Sequence, residues 1–184
     1  MKIYAFLADG FEDVEALGVI DVCRRAALEV ITVSIMPTEV VESAHGVKMI
    51  ADTLFADNDY TDADMLFLPG GMPGATNLDA HEGLRKAILA HNEADKPLAA
   101  ICAAPLVYGN LGLAEGKNMT CYPGFEKDLE GAEFVHQPVV VSGQFITGAG
   151  AGAAVYFGFK VVEALSDKRV SDLIRNSVNY QKEV

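Results

Sequence analysis

The chain is 184 residues long and 51% hydrophobic, enough for one domain with a sizeable core. Its 26 acidic and 14 basic residues give a net charge of −12, which excludes the clustered Lys/Arg that nucleic acid or anionic lipid requires. No apolar run approaches the roughly 18 residues of a membrane span. Three widely spaced cysteines, Cys23, Cys102 and Cys121, argue against a disulfide framework and against a zinc site.

The expected elements alternate along the whole chain. Lys2 to Ala8 reads as a buried first strand, not a signal segment, because Asp9, Glu12 and Asp13 follow at once. A helix over 12–26 places Val14, Leu17, Val19, Ile20 and Cys23 on overlapping apolar faces. Strands are expected next at 28–35, in a hairpin at about 39–51, and at 64–68. Helices over 74–79 and 81–94 lead to a strand at 97–101. A helix over 103–110 and strands at 118–121, near 133–141 and at 144–147 precede helices over 151–165 and 168–178. This alternation predicts one α/β domain over 1–184, with parallel βαβ units and a sheet covered on both faces. Ligands in such sheets bind beyond the carboxyl ends of the strands, where several of these loops converge.

Cys102 sits in Lys96-Pro-Leu-Ala-Ala-Ile-Cys102-Ala-Ala-Pro105, between a short apolar strand and a helix opening. Unpaired amides and the helix dipole there favour the thiolate, and small neighbours leave room for a nucleophile elbow. Glu12, Asp13 and Glu15 open the first helix. Asp13 and Glu12 read as dipole complements, whereas Glu15 borders the apolar run and is a candidate catalytic carboxyl kept protonated by burial. Pro69-Gly70-Gly71-Met72-Pro73-Gly74 reads equally as a tight turn and as an amide cradle for an anion. Gly148-Ala-Gly150-Ala-Gly152-Ala153 fits GxGxxA but has no following strand, so close strand–helix approach explains it better than a nucleotide. His45, His81, His91 and His136 lack metal-ligand spacing, so no metal is expected. Cys23 reads as packing; Cys121 ends a strand on the same rim as Cys102 and is a candidate resolving thiol.

Four motifs together resemble the ThiJ/PfpI family: Asp9-Gly-Phe-Glu12-Asp-Val-Glu15, Leu68-Pro-Gly-Gly71, Ala100-Ile-Cys102-Ala-Ala-Pro105 and Val162-Glu-Ala-Leu165. The resemblance implies a flavodoxin-like three-layer sandwich with a mostly parallel central sheet, and a homodimer with Arg25 and the residues near His45 at its seam. It makes Cys102 the reactive cysteine, Glu15 its protonated partner, and the amides of Gly71 and Ala103 the anion site; Gly70, Tyr122 and Cys121 line the rim. It implies a cofactor-free glyoxalase or deglycase that converts methylglyoxal-type 2-oxoaldehydes to 2-hydroxy acids; the unpaired cysteines point to a reducing cytoplasm. The alternative is a redox-responsive stress protein or chaperone whose cysteine oxidises to a sulfinate.

Three positions depart from the family pattern. Ala103 stands where peptidase members carry His, which removes a peptidase triad. Tyr122 stands where many glyoxalase-like members carry His, and a phenol is a poor base near neutrality. Ala153 replaces a Thr.

Overall fold

A computed structural model describes residues 1–181. The expected alternation becomes a seven-stranded sheet. In chain order its elements are β1 (Lys2–Leu7), α1 (Asp13–Arg25), β2 (Glu29–Ser34), the hairpin β3 (Val40–Glu42) and β4 (Lys48–Ile50), and β5 (Thr53–Leu54). There follow β6 (Met65–Leu68), α2 (Gly74–Ala80), α3 (Glu82–Glu93), β7 (Leu98–Ile101) and α4 (Leu106–Asn110). The chain continues through β8 (Asn118–Met119), β9 (Glu133–Phe134), β10 (Val139–Ser142), β11 (Phe145–Gly148), α5 (Ala154–Leu165) and α6 (Lys168–Ser177).

The sheet order is β10-β11-β7-β6-β1-β2-β5, and only β10 runs antiparallel to its neighbour. Helices cover both faces. One core packs Ile3, Leu7 and Phe67 against α1 and α5, and the other packs Phe6, Leu66 and Leu98 against α2, α3 and α4. Central strands β6 and β7 are buried along their whole length, which is why they read as continuous apolar runs and not as alternating ones. This is the flavodoxin-like α/β architecture expected from the sequence.

Several boundaries differ. The segment near 133–141 splits: β9 joins β8 in a separate two-stranded sheet, while β10 forms the antiparallel edge. The strand expected at 118–121 stops at Met119, and the two-residue β5 had no sequence signal. α4 begins only at Leu106, because residues 102–105 are spent on the turn that makes the elbow. Val14 and Leu17 do not join the core face of α1; they stay 52% and 44% exposed while Val19, Ile20 and Cys23 are buried. The Gly-rich segment before α5 supports close approach. A Cβ on Gly148 would sit 2.7 Å from Phe157 and 2.8 Å from Ile101.

Candidate active site

β7 delivers Cys102 to the carboxyl edge of the sheet and turns sharply there. Its φ is +64°, a left-handed conformation that strains a residue carrying a Cβ by about 1–3 kcal/mol. Two backbone bonds hold it: Cys102 N–H donates to the Gly148 carbonyl at 2.8 Å, and Tyr122 N–H donates to the Cys102 carbonyl at 2.9 Å. The elbow inferred from the Pro- and Ala-bounded run is therefore present, and it is clamped to the end of β11 and to the loop after β8.

α1 brings Glu15 to the same point. Its side chain is fully buried; Oε2 accepts the Gly70 N–H at 2.9 Å, and the Cys102 S–H donates to the carboxylate. Gly70 is glycine because nothing larger fits: a Cβ would lie 2.5 Å from Cys102 Cβ and 2.6 Å from Glu15 Oε2. Gly71 sits at φ +91°, so the loop needs positive φ at one glycine and close approach at the other. The N–H groups of Gly71 and Ala103 favour the ionised form of the thiol. The residues expected at the site thus converge: Cys102, Glu15, Gly70, Gly71 and Ala103 in contact, with Tyr122 beside them.

The electrostatics correct one expectation. Burial raises the Glu15 carboxyl to about 7, with the Cys102 and Gly70 hydrogen bonds pulling down and the Glu12 charge pushing up. Cys102 rises to about 12, chiefly through burial, then through the charge and hydrogen bond of Glu15; the Gly71 and Ala103 amides oppose this. Burial therefore biases both groups toward their neutral forms, and an ionised Glu15 further disfavours the Cys102 thiolate. The position at a helix opening alone favours a resting thiolate; burial first, and then the adjacent carboxylate, oppose it.

Of the other candidates, Cys121, next to Tyr122, and His136 line the cleft beside the elbow. Cys121 is buried and its thiol is pushed up to about 12 by burial, and all three cysteines are free. Cys23 lies in the core, as its apolar neighbours indicated. His81 caps α3, accepting from Leu84 N–H at 3.0 Å. His91 is buried in α3 close to Lys96 and Asp64, and burial lowers it to about 4. His45 lies 2.8 Å from Asp13 Oδ2 and 3.6 Å from Glu12 Oε2, a cluster invisible in sequence spacing because the hairpin folds onto the start of α1. Asp13 and Glu12 are therefore partners of an exposed histidine as well as dipole complements. Ala149 and Ala151 border a cleft of about 600 Å3 that opens beside the elbow, with Tyr122 and Gly150 in the shared wall.

Fold and site together define an α/β protein with a cysteine elbow paired to a buried carboxyl. Residues 1–164 match the DJ-1/PfpI family, and the chain belongs to it. It is 38% identical over 169 residues to protein DJ-1 homolog B of Arabidopsis thaliana, covering 91% of this chain and 39% of that one. The chain spans about two fifths of the length of the two Arabidopsis relatives it matches. A glutathione-independent glyoxalase of Schizosaccharomyces pombe is 26% identical, with 97% of this chain and 98% of that one covered. The structure of oxidized Toxoplasma gondii DJ-1 superposes with a TM-score of 0.95 at 32% identity, covering 98% and 99% of the two chains.

Proposed function

We propose that this protein is a cofactor-independent glyoxalase of the glyoxalase III or deglycase type, with Cys102 as nucleophile and Glu15 as proton carrier. The observation that carries the reading is the Glu15–Cys102 pair itself, a thiol hydrogen-bonded to a carboxyl that titrates near neutrality. A base with a pKa near the working pH is the best compromise between availability and strength. The name of the fission-yeast relative supports the same chemistry.

The steps balance without an external oxidant. Cys102 Sγ bonds to the aldehyde carbon as Glu15 takes the S–H proton and passes it to the aldehyde oxygen, giving a hemithioacetal. The freed carboxylate removes the hydrogen on that carbon, leaving an enediolate; the hydroxyl proton passes to the neighbouring oxygen and Glu15 returns its proton to the neighbouring carbon. The first carbon is oxidised to a thioester and the second reduced to an alcohol. Water, deprotonated by Glu15, cleaves the thioester and releases the 2-hydroxy acid and Cys102. The Gly71 and Ala103 amides steady the charge that develops. Ala103 supplies no imidazole, so a peptidase triad has no support.

The test is lactate formation from methylglyoxal. Wild-type turnover should fall at least a thousandfold in Cys102→Ser, since an alcohol is a far weaker acid and a poorer nucleophile than the thiol it replaces. Turnover retained in that variant, or absent in the wild type, rejects the reading. The redox-sensor alternative is weaker here, because peroxide attacks the thiolate and burial with Glu15 holds Cys102 protonated. The free thiols suit a reducing cytoplasm, and among the described residues no helix is long and apolar enough to cross a membrane.

The functional unit we infer is a homodimer. Val14 and Leu17 on α1, with Val47 and the 71%-exposed Ile50 of the adjoining hairpin, leave apolar side chains in water. Sedimentation velocity should give twice the 19.6 kDa chain mass, and Leu17→Asp should give one chain mass. A monomeric wild type at tens of micromolar overturns the assignment.

A further inference from the structure

We propose that the cleft beside Tyr122 receives the aryl group of an arylglyoxal, so that the preferred substrate is an aromatic 2-oxoaldehyde and not methylglyoxal; this rests on the glyoxalase reading. The cleft holds about 600 Å3, within the usual range for small-molecule sites and far more than a three-carbon aldehyde fills. Its walls are largely apolar, with Tyr122, Pro123, Phe134, Pro138 and Ala151 among them. The Phe134 and His136 rings meet edge to face at 4.7 Å, and the Tyr122 ring is half exposed. An aromatic guest therefore finds both ring faces and ring edges to pack on.

The cleft also reaches the chemistry. Gly150 forms part of its wall, and a Cβ there would lie 3.2 Å from the Tyr122 ring and 3.9 Å from Glu15 Oε1. The Gly150 backbone thus touches both the cleft and the surroundings of the Glu15 carboxyl. Glu15 Oε1 is buried without a hydrogen-bond partner. A buried acceptor left unmet is costly, and a bound hydroxyl satisfies it. An arylglyoxal meets both demands at once. Its aldehyde oxygen, protonated on addition of Cys102, lies near the Glu15 carboxyl, and its ring extends past Gly150 under Tyr122. Glu126, the acidic member of the lining, is already engaged by the Gly124 N–H at 2.7 Å.

The experiment compares phenylglyoxal with methylglyoxal by following mandelate and lactate. We expect kcat/KM at least tenfold higher for phenylglyoxal, expressed mainly in KM. In Ala151→Phe, which fills the cleft, the phenylglyoxal-to-methylglyoxal ratio should fall about tenfold; Phe134→Ala should lower it and Phe134→Leu restore part of it. Cys102-dependent turnover of methylglyoxal with a ratio near one, unmoved by Ala151→Phe, overturns the cleft assignment and leaves the glyoxalase reading standing. If neither aldehyde is turned over, that reading fails, and amide shifts on titration with mandelate decide the cleft. Shifts at Phe134, His136 and Ala151 that Ala151→Phe weakens uphold an aryl site there; shifts elsewhere or none overturn it.

Discussion

Glu15→Gln is expected to stabilise the fold by about 2–3 kcal/mol at pH 8 while lowering turnover at least a hundredfold. The stability gain follows from the carboxyl's displacement from 4.5 to about 7 on folding. Each unit corresponds to about 1.4 kcal/mol, so burying the ionised form costs roughly 3 kcal/mol once both states are deprotonated. The sign is that of a raised group. Its contribution is fully favourable below pH 4.5, where both states hold the proton, and is lost as pH rises through 7. Wild-type stability should therefore decline between about pH 4.5 and 7 relative to Glu15→Gln, and run parallel to it outside that window. Taking the difference between the two proteins removes the contributions of His45, His81 and His91. The amide oxygen of Gln still accepts the Gly70 N–H, so the loop keeps its anchor.

The same substitution separates the two halves of the site. Removing the carboxylate takes away a charge and a hydrogen bond that hold the Cys102 proton on sulfur, while the Gly71 and Ala103 amides remain. Alkylation of Cys102 by iodoacetamide should then set in at lower pH than in the wild type, although the enzyme is less active. A protein with a more easily ionised thiol and less turnover is what a carboxylate base predicts. If turnover rises along with thiolate content, the thiolate alone drives the reaction and Glu15 is not its proton carrier.

The protonation of the Cys102 thiol is not written in its local sequence. Strand, small neighbours and Pro105 specify the elbow locally, because a four-residue apolar run and a helix opening are both short-range signals. The balance of charge at sulfur is not local, since it depends on a carboxylate that α1 delivers from another part of the chain. The start of α1 did point to Glu15, because a carboxylate bordering an apolar run either finds a partner or shifts its titration. Val14 and Leu17 follow the same helical periodicity as Val19 and Ile20 yet face outward, as periodicity does not say which of two apolar stripes meets the sheet. The split of β9 from β10, the His45 cluster and the cleft beside Gly150 arise from loops crossing in space, and none has a signature in spacing. The chemistry was legible where it sits on one turn of chain and illegible where two loops make it.

Gly70→Ala is expected to remove nearly all activity and about 1–3 kcal/mol of stability, the usual range for an added methyl in a filled core. The new Cβ would meet Cys102 Cβ at 2.5 Å, Glu15 Oε2 at 2.6 Å and the Ile101 carbonyl at 2.8 Å. Two of these cannot retreat. Ile101 is the last residue of β7, paired with Gly148 of β11, and Cys102 is pinned on either side by its bonds to Gly148 and Tyr122. Glu15 must therefore swing away, which breaks its contact with the Gly70 N–H and with the thiol. The carboxylate then has no donor in a buried setting, and the thiol has no base. Circular dichroism should show a folded protein, urea unfolding a lowered midpoint with unchanged slope, and the turnover assay a loss of at least a hundredfold. Gly18→Ala, also a glycine-to-alanine change, is the comparison. Its Cβ meets Ala154 at an ordinary 3.5 Å inside α1, so helix propensity should make it neutral to stabilising. Wild-type turnover in Gly70→Ala would mean that the close approach of Glu15 to Cys102 is a packing detail and not the working geometry of the site.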